Sequence, residues 1–122
     1  MVKLHIDFNG NREWLDMDNP ITDGEYIYNI RHRLNGPAYI CWNGLKEYWV
    51  NGLKHREDGP AEEYYDGGKM YYINGNLHRE DGPAAEWTEG DKLNQIWVLH
   101  GQILECDTQQ EFERMMKLRT LW

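Results

Sequence analysis

The chain has 122 residues and carries 21 acidic against 13 basic side chains, a formal net charge of −8. That balance excludes the clustered Lys and Arg that displace counterions from nucleic-acid phosphates or from an anionic membrane surface. The length suits one domain, Met1-Val2-Lys3-Leu4-His5 lacks the apolar run of a signal peptide, and no stretch is apolar enough to cross a bilayer, so a cytoplasmic protein is expected.

Residues 1–22 read as an N-terminal capping hairpin. Val2 to Phe8 and Arg12 to Met17 flank Asn9-Gly10, and Asp18-Asn19-Pro20 ends the unit. Residues 23–105 then repeat one pattern. His32-Arg33-Leu34-Asn35-Gly36-Pro37-Ala38 returns as His55-Arg56-Glu57-Asp58-Gly59-Pro60-Ala61 and as His78-Arg79-Glu80-Asp81-Gly82-Pro83-Ala84, at a spacing of 23 residues. A second turn signal alternates with it: Asn51-Gly52, Asn74-Gly75 and, by alignment, Tyr28-Asn29 and His100-Gly101. In each the second residue is Gly or Asn, where positive φ costs least, so His100 reads as a turn residue.

The pattern predicts a mainly β fold, an antiparallel meander of tandem 23-residue β-hairpin repeats closed by one C-terminal α-helix. The last copy is three residues longer, and the extra length is expected in the Thr88–Lys92 loop. Residues 106–122 form the helix. Thr108 and Glu111 have capping-box spacing, and Phe112, Met115, Met116 and Leu118 or Trp122 are expected to cover one side of the sheet. Cys41 and Cys106 are too few for a disulfide framework and read as free thiols.

Strand alternation places Tyr48, Tyr71 and Trp97, with Val50, Ile73 and Leu99, on one side, and Tyr26, Trp49, Tyr72 and Val98 on the other. A helix of about 14 residues spans only about 21 Å, so one aromatic face is expected to meet a protein partner or a second copy of the chain.

The His-Arg series invites a functional reading. Equivalent histidines two strands apart sit about 9–10 Å from one another. Ligands of one metal ion must all lie about 2 Å from it, so His32, His55 and His78 cannot chelate together and no metal is expected. The series has a structural explanation. Asp58 and Asp81 cap the turn and neutralise Arg56 and Arg79, Gly supplies an unusual φ, Pro fixes the next residue, and Ala38, Ala61 and Ala84 leave room for a neighbouring ring. His55 and His78 are expected to bond carbonyls of the adjacent unit.

Arg33 differs, because Leu34-Asn35 keep the turn but remove the carboxylates. Arg31, His32 and Arg33, with Tyr26, Trp42 and Trp49, are the best candidate for an anion-and-ring pocket such as a nucleotide requires. There is no nucleophile elbow, Walker loop, His-Glu-x-x-His or Cys-x-x-Cys, so no catalytic residue, no cofactor and no enzyme activity are expected.

The unit Tyr72-Ile73-Asn74-Gly75-Asn76-Leu77-His78-Arg79-Glu80-Asp81-Gly82-Pro83-Ala84 resembles the variant MORN-type repeats of phage and giant-virus proteins. The resemblance covers residues 23–105 and implies a β-hairpin scaffold for interactions, with a viral accessory or counter-defence role. The expectation is a non-enzymatic homo-oligomer that inhibits a protein partner through Trp49, Tyr72 and Tyr26. The alternatives are an oligomeric sponge for a nucleotide-like signal molecule and a structural assembly protein.

Overall fold

A computed structural model describes residues 1–119. The fold is mainly β, an antiparallel meander with one C-terminal helix. The strands are β1 (Val2–Ile6), β2 (Arg12–Thr22), β3 (Ile27–Arg31), β4 (Tyr39–Ile40), β5 (Lys46–Glu47), β6 (Trp49–Val50), β7 (Leu53–Lys54), β8 (Glu62–Glu63), β9 (Lys69–Met70), β10 (Tyr72–Ile73), β11 (Asn76–Leu77), β12 (Ala85–Glu89), β13 (Lys92–Ile96), β14 (Val98–Leu99) and β15 (Gln102–Ile103). The helix α1 is Gln109–Arg119. No helix among the described residues is long and apolar enough to cross a membrane.

One sheet of nine strands runs β1-β2-β4-β5-β8-β9-β12-β13, with β3 also on β2. Three short hairpins, β6-β7, β10-β11 and β14-β15, stand apart from it. Each repeat therefore makes two hairpins, one in the main sheet and one in a second stack. The chain passes between them at Tyr48, Tyr71 and Trp97. Tyr48 donates its N–H to Ala61 C=O in the main sheet (2.7 Å) and accepts His55 N–H inside the short hairpin (3.0 Å). Tyr71 repeats both bonds with Ala84 and His78. Ala38, Ala61 and Ala84 sit at this junction with no exposed surface, so a larger side chain would part the two stacks.

Gly52, Gly75 and Gly101 lie at φ of 78°, 83° and 78°, so the short-hairpin turns form as expected, and the residues before them, Asn51, Asn74 and His100, are left-handed too, at 50°, 48° and 49°. The first copy departs. Tyr28 and Asn29 do not turn back, because β2 continues through Pro20 to Thr22 and offers β3 a partner. Pro20 does not end the unit. It lies where the β2–β3 register shifts between Asp16 and Ile21, an irregularity that tolerates a missing N–H. The turn moves to Asp23, whose carboxylate accepts Glu25 and Tyr26 N–H, both at 2.9 Å. The extra length at Thr88–Lys92 is likewise paired strand: Glu89 faces Lys92 across a tight turn at Gly90.

α1 opens as its capping pattern predicts, with Glu111 N–H on Thr108 Oγ1 at 3.2 Å. Lys117 and Arg119 in its last turn complement the helix dipole. Phe112 is buried against Trp97, ring centroids 6.4 Å apart, and Gln109 accepts Trp97 Nε1–H at 2.9 Å. Met115 and Met116 are half-buried, whereas Leu118 is exposed, and Trp122 lies outside the described residues. Cys41 and Cys106 are free thiols.

Candidate functional site

The repeated turns are built around their arginines. Arg33, Arg56 and Arg79 lay their guanidinium groups on the rings of Trp14, Tyr48 and Tyr71, at 3.9, 3.9 and 4.1 Å from the centroid. Their Nη1 atoms donate to the carbonyls of Pro37, Pro60 and Pro83 at 3.1, 3.1 and 3.2 Å. Each guanidinium also lies close against a glycine. A Cβ at Gly36, Gly59 or Gly82 would stand 3.0, 3.0 or 2.8 Å from the arginine Cζ. Expected to supply an unusual φ, these glycines instead have φ outside the positive range, and they are glycine because the cation occupies the space of a side chain.

The histidines tie one unit to the next, but not through carbonyls. His32, His55 and His78 accept at Nδ1 the N–H of Asn51, Asn74 and His100, at 2.8, 3.0 and 2.9 Å. These are the left-handed residues of the following turns, so each imidazole fixes the next hairpin.

Between successive turns lie two equivalent grooves, of about 720 and 710 Å3. The first is lined by Tyr48 and Val50 with Arg33, His55 and Arg56, and by Glu57 and Asp58. The second has Tyr71 and Ile73 with Arg56, His78 and Arg79. Arg56 pairs with Asp58 (3.2 Å) and Glu63 (2.7 Å), and Arg79 with Asp81 (2.9 Å). Arg33 Nε meets only the neutral Asn35 Oδ1, at 3.3 Å, and among the described residues no carboxylate pairs with it.

A second ladder occupies the opposite side of the main sheet. Arg31 lies between Glu13 (3.1 Å) and Glu47 (3.6 Å), and Lys54 between Glu47 (3.3 Å) and Glu62. The rings of Tyr39 and Trp49 cover Arg31 at 4.1 and 5.5 Å, and those of Trp49 and Tyr72 cover Lys54 at 5.5 and 5.2 Å. Burial pulls the Lys54 ammonium down, but the hydrogen bond and charge of Glu62 outweigh it and hold the group above its usual value. Burial, and then the bond to Glu62, push the Tyr64 hydroxyl well above the usual phenol range. Trp49 Nε1 is buried without a hydrogen-bond partner among the described residues.

The residues singled out from the sequence therefore separate. Arg31, Trp49 and Tyr72 belong to the ladder of buried charges, where cations already lie against the rings. His32 and Arg33 belong to the turn ladder: β3 ends at Arg31, and Arg33, in the turn beyond it, lies on Trp14 rather than on Tyr39. Tyr26 pairs with Tyr28 at the far end of β3, ring centroids 6.4 Å apart. Trp42 stands on one rim of the main sheet.

That rim is the most exposed aromatic surface among the described residues. Three hairpins turn there with one geometry: Asp7-Phe8-Asn9-Gly10, Cys41-Trp42-Asn43-Gly44 and Tyr64-Tyr65-Asp66-Gly67. In each, the glycine N–H donates to the first carbonyl, at 3.1, 3.0 and 3.0 Å, and the glycine has φ of 86°, 97° and 92°. The second residue points outward, and Phe8, Trp42 and Tyr65 are 102%, 72% and 78% exposed. Trp42 N–H donates to Asn11 Oδ1 at 2.9 Å, joining the first two turns, and a Cβ on Gly44 would lie 3.1 Å from Tyr65 Cβ. Neighbouring hairpins along a sheet are about 10 Å apart, so the three rings form a row. Phe8 and Tyr65 escape a reading based on the His-Arg repeat. Their signal is an aromatic residue followed by Asn or Asp and then Gly. Searches against family models, curated proteins and solved structures return no match to this chain.

Proposed function

We propose that this chain is a non-enzymatic binding protein that holds and blocks a protein partner along the rim formed by Phe8, Trp42 and Tyr65. The supporting observation is the row itself: three rigid turns of one geometry each expose an aromatic ring on the same edge. Exposed rings fixed by tight backbone turns lose little entropy on contact, which is why aromatic anchors dominate interface energetics. The expected face of Trp49 and Tyr72 is less suited, since Lys54 already lies against both rings. The test is affinity retention from an extract, followed by mass spectrometry and titration of the retained protein. Serine at Phe8, Trp42 and Tyr65 should abolish retention while leaving the melting temperature within a few degrees. Equal retention of that protein by the triple variant overturns the reading.

A second reading is a site for a nucleotide-like anion in the groove between Arg33 and Arg56. It is favoured by one observation: Arg33, which lines this groove with Tyr48, pairs with no carboxylate among the described residues. Native mass spectrometry should then show a released small anion that Arg33→Ala loses and Arg79→Ala keeps. Release from both variants alike removes this reading.

A further inference from the structure

β1 closes one end of the main sheet and, among the described residues, pairs with β2 alone. Met17 N–H donates to Met1 C=O at 2.9 Å and Asp7 N–H to Asn11 C=O at 3.0 Å, and Lys3↔Leu15 and His5↔Glu13 continue that register. The odd-numbered residues of β1 therefore make its hydrogen bonds to β2. By antiparallel alternation, the N–H and C=O groups of Val2, Leu4 and Ile6 point to the open edge. Their side chains are 40%, 49% and 58% exposed on one face, and Lys3 and His5 lie on the other. An edge with free backbone groups and an unbroken apolar row is a template for another strand.

We infer that the strand it takes is β1 of a second copy of this chain, paired antiparallel about a two-fold axis at Leu4. In that register all three outward-pointing apolar residues of β1 meet their counterparts. Centred on Leu4, Val2 faces Ile6 of the second copy, Leu4 faces Leu4, and Lys3 faces His5. Roughly six backbone hydrogen bonds form, since all three residues that meet already point outward. Centred on Lys3 or His5, the pairing sets like side chains against one another and shortens the apolar overlap. The charges agree with the Leu4 register. His5 Nδ1 lies 3.4 Å from Glu13, so Lys3 of the second copy arrives beside a carboxylate. Trp14, cross-strand from Leu4, flanks the joined apolar row on each side. The opposite edge, β13, presents Lys92, Asn94 and Gln95, the polar residues that discourage such pairing.

Sedimentation equilibrium of the full chain tests the inference. Twice the 14.6 kDa chain mass is expected for the native sequence and one chain mass for Leu4→Lys and Ile6→Pro. The proline removes only an outward N–H, which β2 does not use, so the chain should keep its circular dichroism and melting temperature. The register is read separately by oxidative cross-linking in a Cys41→Ser, Cys106→Ser background. Residues facing each other across the axis have Cα atoms about 5.5 Å apart, within disulfide range. Leu4→Cys should therefore cross-link to itself and Lys3→Cys should not. A native chain that stays monomeric at millimolar concentration, a dimer that persists in Leu4→Lys, or self-linking of Lys3→Cys in preference to Leu4→Cys each overturns it.

Discussion

The first two repeats and the last one share a frame but differ in what the frame encloses. At one inward position of successive units stand Arg31, Lys54 and Leu77, at a second Tyr39, Glu62 and Ala85, and at a third Glu47 and Met70. The early units thus enclose a ladder of charges, with Glu47 and Glu62 both buried. The last unit encloses an apolar core that Trp97, Val98 and Phe112 complete. The turns do not change. His, Arg, Gly, Pro and Ala keep their contacts in all three copies. Turn chemistry holds the fold, and the interior can be ionic or apolar provided every charge keeps its partner.

That comparison breaks most visibly when one partner is removed. Lys54→Met leaves Glu62, 3% exposed, without its cation, and should cost about 3–5 kcal/mol in urea unfolding. Phe112→Ala should cost a similar ~3–5 kcal/mol at the apolar end, by opening a cavity against Trp97. The sharper experiment copies one interior into the other. Glu47→Met, Lys54→Leu and Glu62→Ala together reproduce Met70, Leu77 and Ala85, and the triple variant should recover most of the loss, because replacing a whole buried ion network with apolar residues is often neutral. Arg31 keeps Glu13 as a partner in that variant. A triple variant less stable than Lys54→Met alone would show that the two interiors are not interchangeable.

The frame was legible in the sequence because turns are local. The spacing of 23 residues, the positive-φ positions at Gly52 and Gly75, and the helix cap at Thr108 all follow from a few adjacent residues. What was not legible depended on partners distant in sequence. Tyr28-Asn29 matches a turn, yet β2 supplies a strand for it, and nothing between residues 23 and 38 reveals that. Gly36, Gly59 and Gly82 look like turn glycines, and only coordinates show a guanidinium in the space of their absent Cβ. The candidate site separated for the same reason. Arg31 and Arg33 are two residues apart, but β3 ends at Arg31, so Arg31 lies on Tyr39 while Arg33, in the turn beyond the strand, lies on Trp14. The exposed row of Phe8, Trp42 and Tyr65 is hidden because the His-Arg signal marks the other set of turns.

A smaller effect separates the two kinds of glycine. Gly82→Ala places a methyl 2.8 Å from Arg79 Cζ and should cost about 1–3 kcal/mol. In an Arg79→Ala background the same change should cost less, since the methyl then has room. Gly67→Ala meets nothing within 4 Å but must hold φ near 92°, so its cost should be the same with or without Arg79. Unfolding free energies of these variants form a double-mutant cycle, and a coupling of zero between Gly82 and Arg79 would refute the space-filling account.

The smallest expected effect is alkaline, and the charged interior carries most of it, beside the Cys106 thiol, which burial also pushes up. Lys54 is held above its usual value chiefly by Glu62, and burial with Glu62 raises Tyr64 and Tyr72. For all three the folded chain binds its proton more tightly than the unfolded one. Their contribution is then fully present below the unfolded values, near pH 10, and falls as pH rises past them. Stability measured from pH 8 to 11 should therefore decline with release of protons on unfolding. The Glu47→Met, Lys54→Leu, Glu62→Ala variant lacks the cation and both carboxylates, so its decline should be shallower. Phe112→Ala, which lowers stability through packing, should leave the slope unchanged. An identical pH slope in all three proteins would mean that the ladder of charges contributes packing and no electrostatic stabilisation.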